Sequence, residues 1–257
     1  MRKITLVCEK SVPIFENKLS VHFQGWLMRQ IDSQYADELH KSQLKPYTIH
    51  TTQNRGDLHF VITMLTEHSK DVISNVLLNN NFEQFSLDSS QQKTFIIKEK
   101  KVEEKSQRDL SNLFYQKESY YQFDITFESP TSFKSQGEYV FMPDVRLFFQ
   151  SIMQKYNFIF EESTRIETDL LNELCEKTKI VNYRIESSYH PIHRTHIPGF
   201  KGTIKLSCDG NNTLLNYLSM LLSFADYSGV GIKTSMGMGA LSTKGIKKGE
   251  KNGRKAN

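Results

Sequence analysis

Ile4-Thr5-Leu6-Val7-Cys8-Glu9 alternates, with Ile4, Leu6 and Cys8 on one side and Thr5, Val7 and Glu9 on the other. A period of two predicts a strand. The period then changes. Phe23, Leu27, Ile31, Tyr35 and Leu39 recur every four residues with Trp26 beside them, which predicts one amphipathic helix over 21–39. Two extended stretches follow, near 45–52 and 58–65, separated by Asn54-Arg55-Gly56-Asp57, a turn composition. Val72, Ile73, Val76 and Leu77 mark a second helix that ends at Asn79-Asn80-Asn81, and 94–102 returns to strand character. The order strand-helix-strand-strand-helix-strand is the ferredoxin-like plan.

The second half repeats that order. Phe123, Ile125 and Phe127 alternate with Asp124, Thr126 and Glu128 as a strand. Pro143-Asp144 opens a helix with Val145, Phe148, Ile152 and Tyr156 on its inner face. A partly helical insertion over 161–177 precedes strands near 181–189 and 199–208, a helix over 213–227 and a last strand after Gly239. The fold class is therefore α+β, with two tandem ferredoxin-like (RRM-like, βαββαβ) domains over 1–118 and 119–246. The polar stretch 103–118 reads as a crossover or linker with room for a short helix. No sequence repeat of 20–50 residues accompanies the doubling, so it is one of architecture. The tail, 247–257, is rich in Lys, Gly and Asn and is expected to be disordered.

Composition narrows the classes. The 257 residues are 38% hydrophobic and 24% charged, which is globular, and 17 Phe with 11 Tyr suffice for two cores. A net charge of +4 permits a polyanionic partner without demanding one, and the tail carries much of it. Cys8, Cys175 and Cys208 are far apart and form no CxxC pair, so neither a zinc site nor a disulfide framework is indicated. No apolar run approaches the roughly 18 residues of a membrane span, and the N-terminus has no signal-peptide pattern. A reducing cytoplasm is expected.

Gly229-Val230-Gly231-Ile232-Lys233-Thr234-Ser235-Met236-Gly237-Met238-Gly239 is the most informative motif. Glycine admits positive φ and lets backbone approach a ligand closely. Clustered N–H groups in such a loop can form a concavity for anions. Lys233 adds a charge, Thr234 and Ser235 add hydroxyls, and phosphates suit all three. A Walker loop and a dinucleotide fingerprint both fail, because this loop follows a helix and does not lead from a strand into one. Two Gly-x-Gly units around five residues exceed what a helix C-cap and a simple bend need.

This loop resembles the C-terminal glycine-rich signature of the repeat-associated RNA-binding superfamily of CRISPR systems. The chain is similar, in particular, to the stand-alone endoribonucleases that process CRISPR repeat transcripts, with a pattern closest to those of type III-A. Phe23-Gln24-Gly25-Trp26-Leu27, Tyr35-Ala36-Asp37-Glu38-Leu39-His40, Lys45-Pro46-Tyr47-Thr48, Ser129-Pro130-Thr131-Ser132-Phe133, Phe141-Met142-Pro143-Asp144 and Pro198-Gly199-Phe200-Lys201-Gly202 carry the rest of the resemblance, over about 3–244.

The resemblance implies RNA gripped between two ferredoxin-like domains, with a catalytic histidine at the end of the first helix, here His40, and the glycine loop opposite. RNA supplies its own nucleophile, the 2′-hydroxyl, so no metal or other cofactor is expected. An imidazole ordinarily titrates near neutrality and suits proton transfer. Lys45, held extended before Pro46, is the candidate for transition-state charge. Gly229, Gly231, Lys233, Thr234, Ser235, Gly237, Gly239, Arg194 and Lys201 are the candidate RNA contacts. Met28 stands where some members carry an assisting tyrosine, which leaves the general base open, with Arg29 and His22 as polar neighbours. His190, His193 and His196 recur every three residues, but Pro191 and Pro198 argue for an irregular hairpin over a metal-binding helix face. The expected partners are CRISPR repeat RNA (precursor crRNA) and, transiently, a CRISPR effector complex, with no membrane and a monomer or homodimer. The competing reading is a non-catalytic RNA-binding subunit of such a complex. An unrelated nucleotide-binding enzyme has only the loop behind it.

Overall fold

The first strand, β1 (Arg2–Cys8), lies in the middle of its sheet in a computed structural model that describes residues 1–9, 16–54, 56–87, 93–192 and 195–247. Ile4, Leu6 and Cys8 are fully buried on the predicted face. Thr5 and Val7 are buried as well, because the second half of the chain covers the other face.

The single helix expected over 21–39 is two. α1 (Glu16–Gln30) stops, and α2 (Ser33–Lys41) begins after Asp32. The Asp32 carboxylate accepts from the Gln34 and Tyr35 amides at 2.9 and 3.1 Å, so a fresh N-cap interrupts the run. The four-residue recurrence did not reveal the break, since Phe23, Leu27, Ile31, Tyr35 and Leu39 are all buried on both sides of it.

β2 (Tyr47–Asn54) and β3 (Asp57–Met64) form the expected hairpin, α3 (Glu67–Leu77) follows, and a short β4 (Gln84–Leu87), not anticipated, pairs with β5 (Lys93–Glu104). The sheet order is β2-β3-β1-β5-β4. The polar stretch after β5 holds α4 (Gln107–Phe114), opened by a capping box between Ser106 and Asp109.

The second half runs β6 (Tyr120–Thr131), the small hairpin β7 (Phe133–Ser135) and β8 (Glu138–Val140), α5 (Val145–Phe160), α6 (Thr168–Lys177), β9 (Thr178–Ile192), β10 (Thr195–Cys208), α7 (Asn212–Ser228) and β11 (Leu241–Lys247). Its sheet order is β11-β6-β10-β9. With β4, β7, β8 and α6 set aside as additions, both halves place the fourth, first, third and second strands side by side, antiparallel throughout. The fold is two tandem ferredoxin-like units. The tail 248–257 lies outside the described residues.

Each unit has its own core. Phe23, Phe60, Phe85 and Phe95 dominate the first; Phe127, Phe148, Phe149, Phe200 and Phe224 dominate the second. Met1, Leu65 and Leu110, from the first half, are buried in the second core. Polar ties add to that seam: Thr48 donates to the Tyr227 carbonyl at 3.4 Å, and Lys105 to Ser223 Oγ at 2.6 Å. Among the described residues no helix is long and apolar enough to cross a membrane.

Candidate active site

The glycine loop closes on itself. Gly229 caps α7, its amide bonded to the Ala225 carbonyl at 2.8 Å, and Val230 N–H donates to Gly239 O at 2.8 Å. Gly229, Gly231, Gly237 and Gly239 all have positive φ, between 60° and 103°. Space demands glycine too: a Cβ on Gly231 would lie 2.2 Å from Ser132 O, and one on Gly239 1.9 Å from Val230 O. These glycines therefore serve close backbone contact inside the protein first. The amides of Gly231, Ile232, Met236, Met238 and Gly239 go to protein acceptors. Of 229–239, the Lys233, Thr234 and Ser235 amides are the ones with no acceptor among the described residues, while the 3-10 turn engages Gly237. The expected amide concavity is thus confined to the loop tip, where Lys233 is left-handed (φ 55°) and a 3-10 turn, Thr234–Met236, begins. Lys233 is exposed, Thr234 half-buried and Ser235 buried.

Two buried side chains hold this loop. Lys155, from α5, points its Nζ at Ser228 O (3.2 Å), Gly229 O (3.1 Å) and Thr234 Oγ1 (3.4 Å). It thereby caps the carbonyl end of α7. Burial pushes its pKa down to about 7. His190, on β9, is fully buried, and its Nε2–H donates to Met236 O at 2.7 Å. Its Nδ1 is then a buried lone pair with no partner among the described residues. Burial lowers the His190 pKa and keeps the ring neutral. A Cβ on Gly237 would meet both this ring and Ser20 of α1, so the second Gly-x-Gly sits between the two units.

His40 is exposed in the last turn of α2. Lys45 folds back onto that turn. Its Nζ donates to the Leu39, His40 and Ser42 carbonyls, at 3.2 Å for His40, and so closes the helix end. Burial lowers the Lys45 pKa, and the charge of Lys233 lowers it further. The segment after His40 and the loop tip are therefore electrostatic neighbours across a cleft of about 430 Å³. Gln43, Leu44 and Lys45 line one side, 231–236 the other, and α5 with Phe133 and Lys134 the floor. His40 itself is not among the lining residues; it stands three residues before them. Among the described residues, no carboxylate lines the cleft.

Of the other predicted contacts, Lys201 is half-buried on β10, close enough to His190 to lower its pKa, and is not among the residues lining the 430 Å³ cleft. Arg194 and His193 lie outside the described residues. His196 is exposed opposite Pro191, so it does not share His190's environment. Among the described residues no three His, Cys, Asp or Glu side chains gather as a metal site. Tyr35 packs inward, its ring 4.3 Å from that of His68. Met28 Sδ accepts from the Tyr47 hydroxyl at 3.8 Å, and Gln24 donates to that hydroxyl at 3.3 Å.

Sequence reasoning passed over Lys155, Tyr47 and the buried state of His190. Each had a signal. Lys155 interrupts the apolar face that runs from Phe148 to Tyr156. Tyr47 lies inside the Lys45-Pro46-Tyr47-Thr48 segment that carries the family resemblance. His190 is two residues from Ile192 on a strand, hence on its inward face.

Comparison with known proteins agrees with the fold. A family model described as CRISPR-associated endoribonuclease Cas6 matches residues 125–241. A Streptococcus thermophilus protein of that name is 40% identical over 223 residues, 87% of this chain and 90% of the relative. One from Mycobacterium tuberculosis is 30% identical over 245 residues, covering 94% and 77%. Among solved structures, a Cas6 product complex aligns at TM-score 0.75 and 21% identity over 95% of this chain and 100% of that one. Thermus thermophilus Cas6 aligns at 0.70 and 19%, covering 95% and 98%. The coincidence of this doubled fold, this loop and full-length similarity places the chain in the Cas6 family of CRISPR-associated endoribonucleases.

Proposed function

We propose that this endoribonuclease cuts CRISPR repeat RNA without a metal, by attack of the 2′-hydroxyl on the adjacent phosphorus. The bond from 2′-oxygen to phosphorus forms as the bond to the 5′-oxygen breaks. The 2′-proton passes to solvent or to an unassigned base, and His40 delivers a proton to the departing 5′-oxygen. The ends are a 2′,3′-cyclic phosphate and a 5′-hydroxyl. Lys45 contributes through its field: its ammonium is tied to the turn that carries His40, where it both sets that turn and adds positive charge beside a phosphorane. Lys233 and the free amides of the loop tip take backbone phosphates, as do Lys201 on β10 and Arg194.

One observation carries this reading. The turn after an exposed histidine and the tip of a glycine loop face each other across a cleft whose described lining has lysines and no carboxylate. The test is incubation of repeat RNA with the protein in EDTA, followed by end-group analysis. Cyclic phosphate and 5′-hydroxyl ends are expected. Cleavage only on addition of a divalent ion, or 3′-hydroxyl ends, would overturn the mechanism.

A further inference from the structure

The floor of the cleft is the part that phosphate binding leaves unexplained. Leu147, Gln150, Ser151, Gln154, Lys155 and Phe158 are spaced three and four apart, so one face of α5 lies along the cavity. That face is not built for phosphate. Gln150 and Gln154, one turn apart, are half-buried and have no hydrogen-bond partner among the described residues. Phe158 follows one turn later, half-buried, with its ring on the same wall. Two unused amides beside an aromatic ring match what a nucleobase offers: a hydrogen-bonding edge and a face.

The surroundings favour the same ligand. Lys45, Lys134 and Lys233 stand around the cavity, where the phosphates flanking such a base would run. The volume, about 430 Å³, is in the range of small-ligand pockets and too small for a duplex. The wall is also held in place. Ser151 Oγ accepts from Gly231 N–H at 2.8 Å, and Lys155 donates to the Gly229 carbonyl and to Thr234 Oγ1, so α5 is tied to the loop at both residues.

We infer that this face of α5 is a base-reading pocket, in which Gln150 and Gln154 contact the edge of one unpaired nucleobase next to the bound backbone and Phe158 packs on it. The inference rests on the proposed RNA-binding role of the cleft and adds to it a reason for sequence preference. A pocket that inserts one base also pins the register of the strand, and so selects which phosphate meets the catalytic turn.

The experiment is a four-way comparison. Wild type and a Gln150→Ala/Gln154→Ala variant are each given a series of repeat RNAs in which single nucleotides near the cleavage site are made abasic. Each RNA also carries a 2′-deoxy sugar at the scissile position, so that affinity is read without cutting. At one position, removal of the base is expected to cost wild type roughly tenfold to a hundredfold in Kd. The variant should bind intact RNA as weakly as wild type binds the abasic one, with little further loss when both changes are combined. A 2-aminopurine at that position should change its emission on binding wild type and not the variant. Equal tolerance of every abasic position by wild type, or the same abasic loss in both proteins, would overturn the pocket. Because these are binding measurements, they stand even if wild type fails to cut in EDTA, an outcome that would sink the cleavage reading alone.

Discussion

Two clefts between the halves of this protein differ in charge: one is lined by lysines, the other by cations and carboxylates together. The first, between the turn after α2 and the glycine loop, is lined by Lys45, Lys134, Lys155 and Lys233 and, among the described residues, by no acidic side chain. The second, about 290 Å³ between β1–β3 and the β6/β11/α7 surface, includes Lys3, Lys105, His50 and His59, but also Glu103, Glu128 and Asp226. There the charges are used within the protein. Lys3 and Lys105 sit over the Tyr227 ring at 4.6 and 5.3 Å, and His50 is 3.5 Å from Glu128, which holds that carboxyl below its ordinary range. A polyanion would meet carboxylates in the second cleft and, in the first, the exposed Lys134 and Lys233. The net charge of +4 says nothing of this partition. Placement decides it: the first cleft is free to bind and the second is a seam.

The comparison breaks most sharply at His40. His40→Ala should lower single-turnover cleavage by roughly 10²–10⁴-fold, with RNA affinity nearly unchanged. A variant that cuts at the wild-type rate would remove the reason for assigning catalysis to the first cleft. The next largest effect belongs to its wall. Gly231→Ala puts a Cβ against the Ser132 carbonyl at positive φ. A loss on the order of 1–3 kcal/mol is expected in denaturant unfolding, with weaker RNA binding besides. Unchanged stability would mean that the loop is looser than these contacts imply.

Lys233→Ala sharpens the electrostatic half of the comparison. Removing one lysine–phosphate pair should reduce the slope of log K against log salt by about 1 and cost about tenfold in affinity at moderate salt. Lys105→Ala, in the second cleft, should leave that slope as it is. Equal changes in both would erase the distinction between the clefts.

The doubling of the fold was legible because it rests on periodicity, and periodicity survives wherever one face is buried. Phe123, Ile125 and Phe127 show it, as do Phe148 and Ile152. Where the sequence misled, a local polar event overrode the pattern. Asp32 restarts a helix whose apolar spacing continues unbroken, and β4 is too short to declare itself. The glycine loop was legible as a motif, though its geometry was not. That most of its amides are bonded inside the protein depends on Pro130, Ser132 and Ser151, distant residues that no local reading connects to it. The same applies to Lys45. Proline at 46 foretold an extended backbone, but only the tertiary structure shows its ammonium turned back to the carbonyls of α2. The base-reading face of α5 was hidden for a related reason. The inner apolar face of that helix was the conspicuous one, and the opposite face acquires meaning only with the loop placed over it.

The smallest expected effect tests the seam itself through Asp226. Burial raises its carboxyl to about 6, against an ordinary value of 3.8, and Thr243, Lys3 and Lys105 offset only part of that. One oxygen accepts from Thr243 Oγ1 at 3.2 Å, and the other is buried without a partner among the described residues. The folded state therefore holds this proton more tightly than the unfolded chain does. Its contribution to stability is complete below about pH 4 and is lost as pH rises through about 6. Asp226→Asn keeps the shape and removes the charge. Because the residue is only half-buried, a gain on the order of 1 kcal/mol is expected at pH 7.5, with little or none at pH 4. Denaturant midpoints of both proteins at the two pH values measure it. A difference that is the same at both would show that the ionised carboxylate is not strained there. The second cleft would then be an open, solvated groove, and its acidic residues would have to be explained by something other than a seam between the two halves.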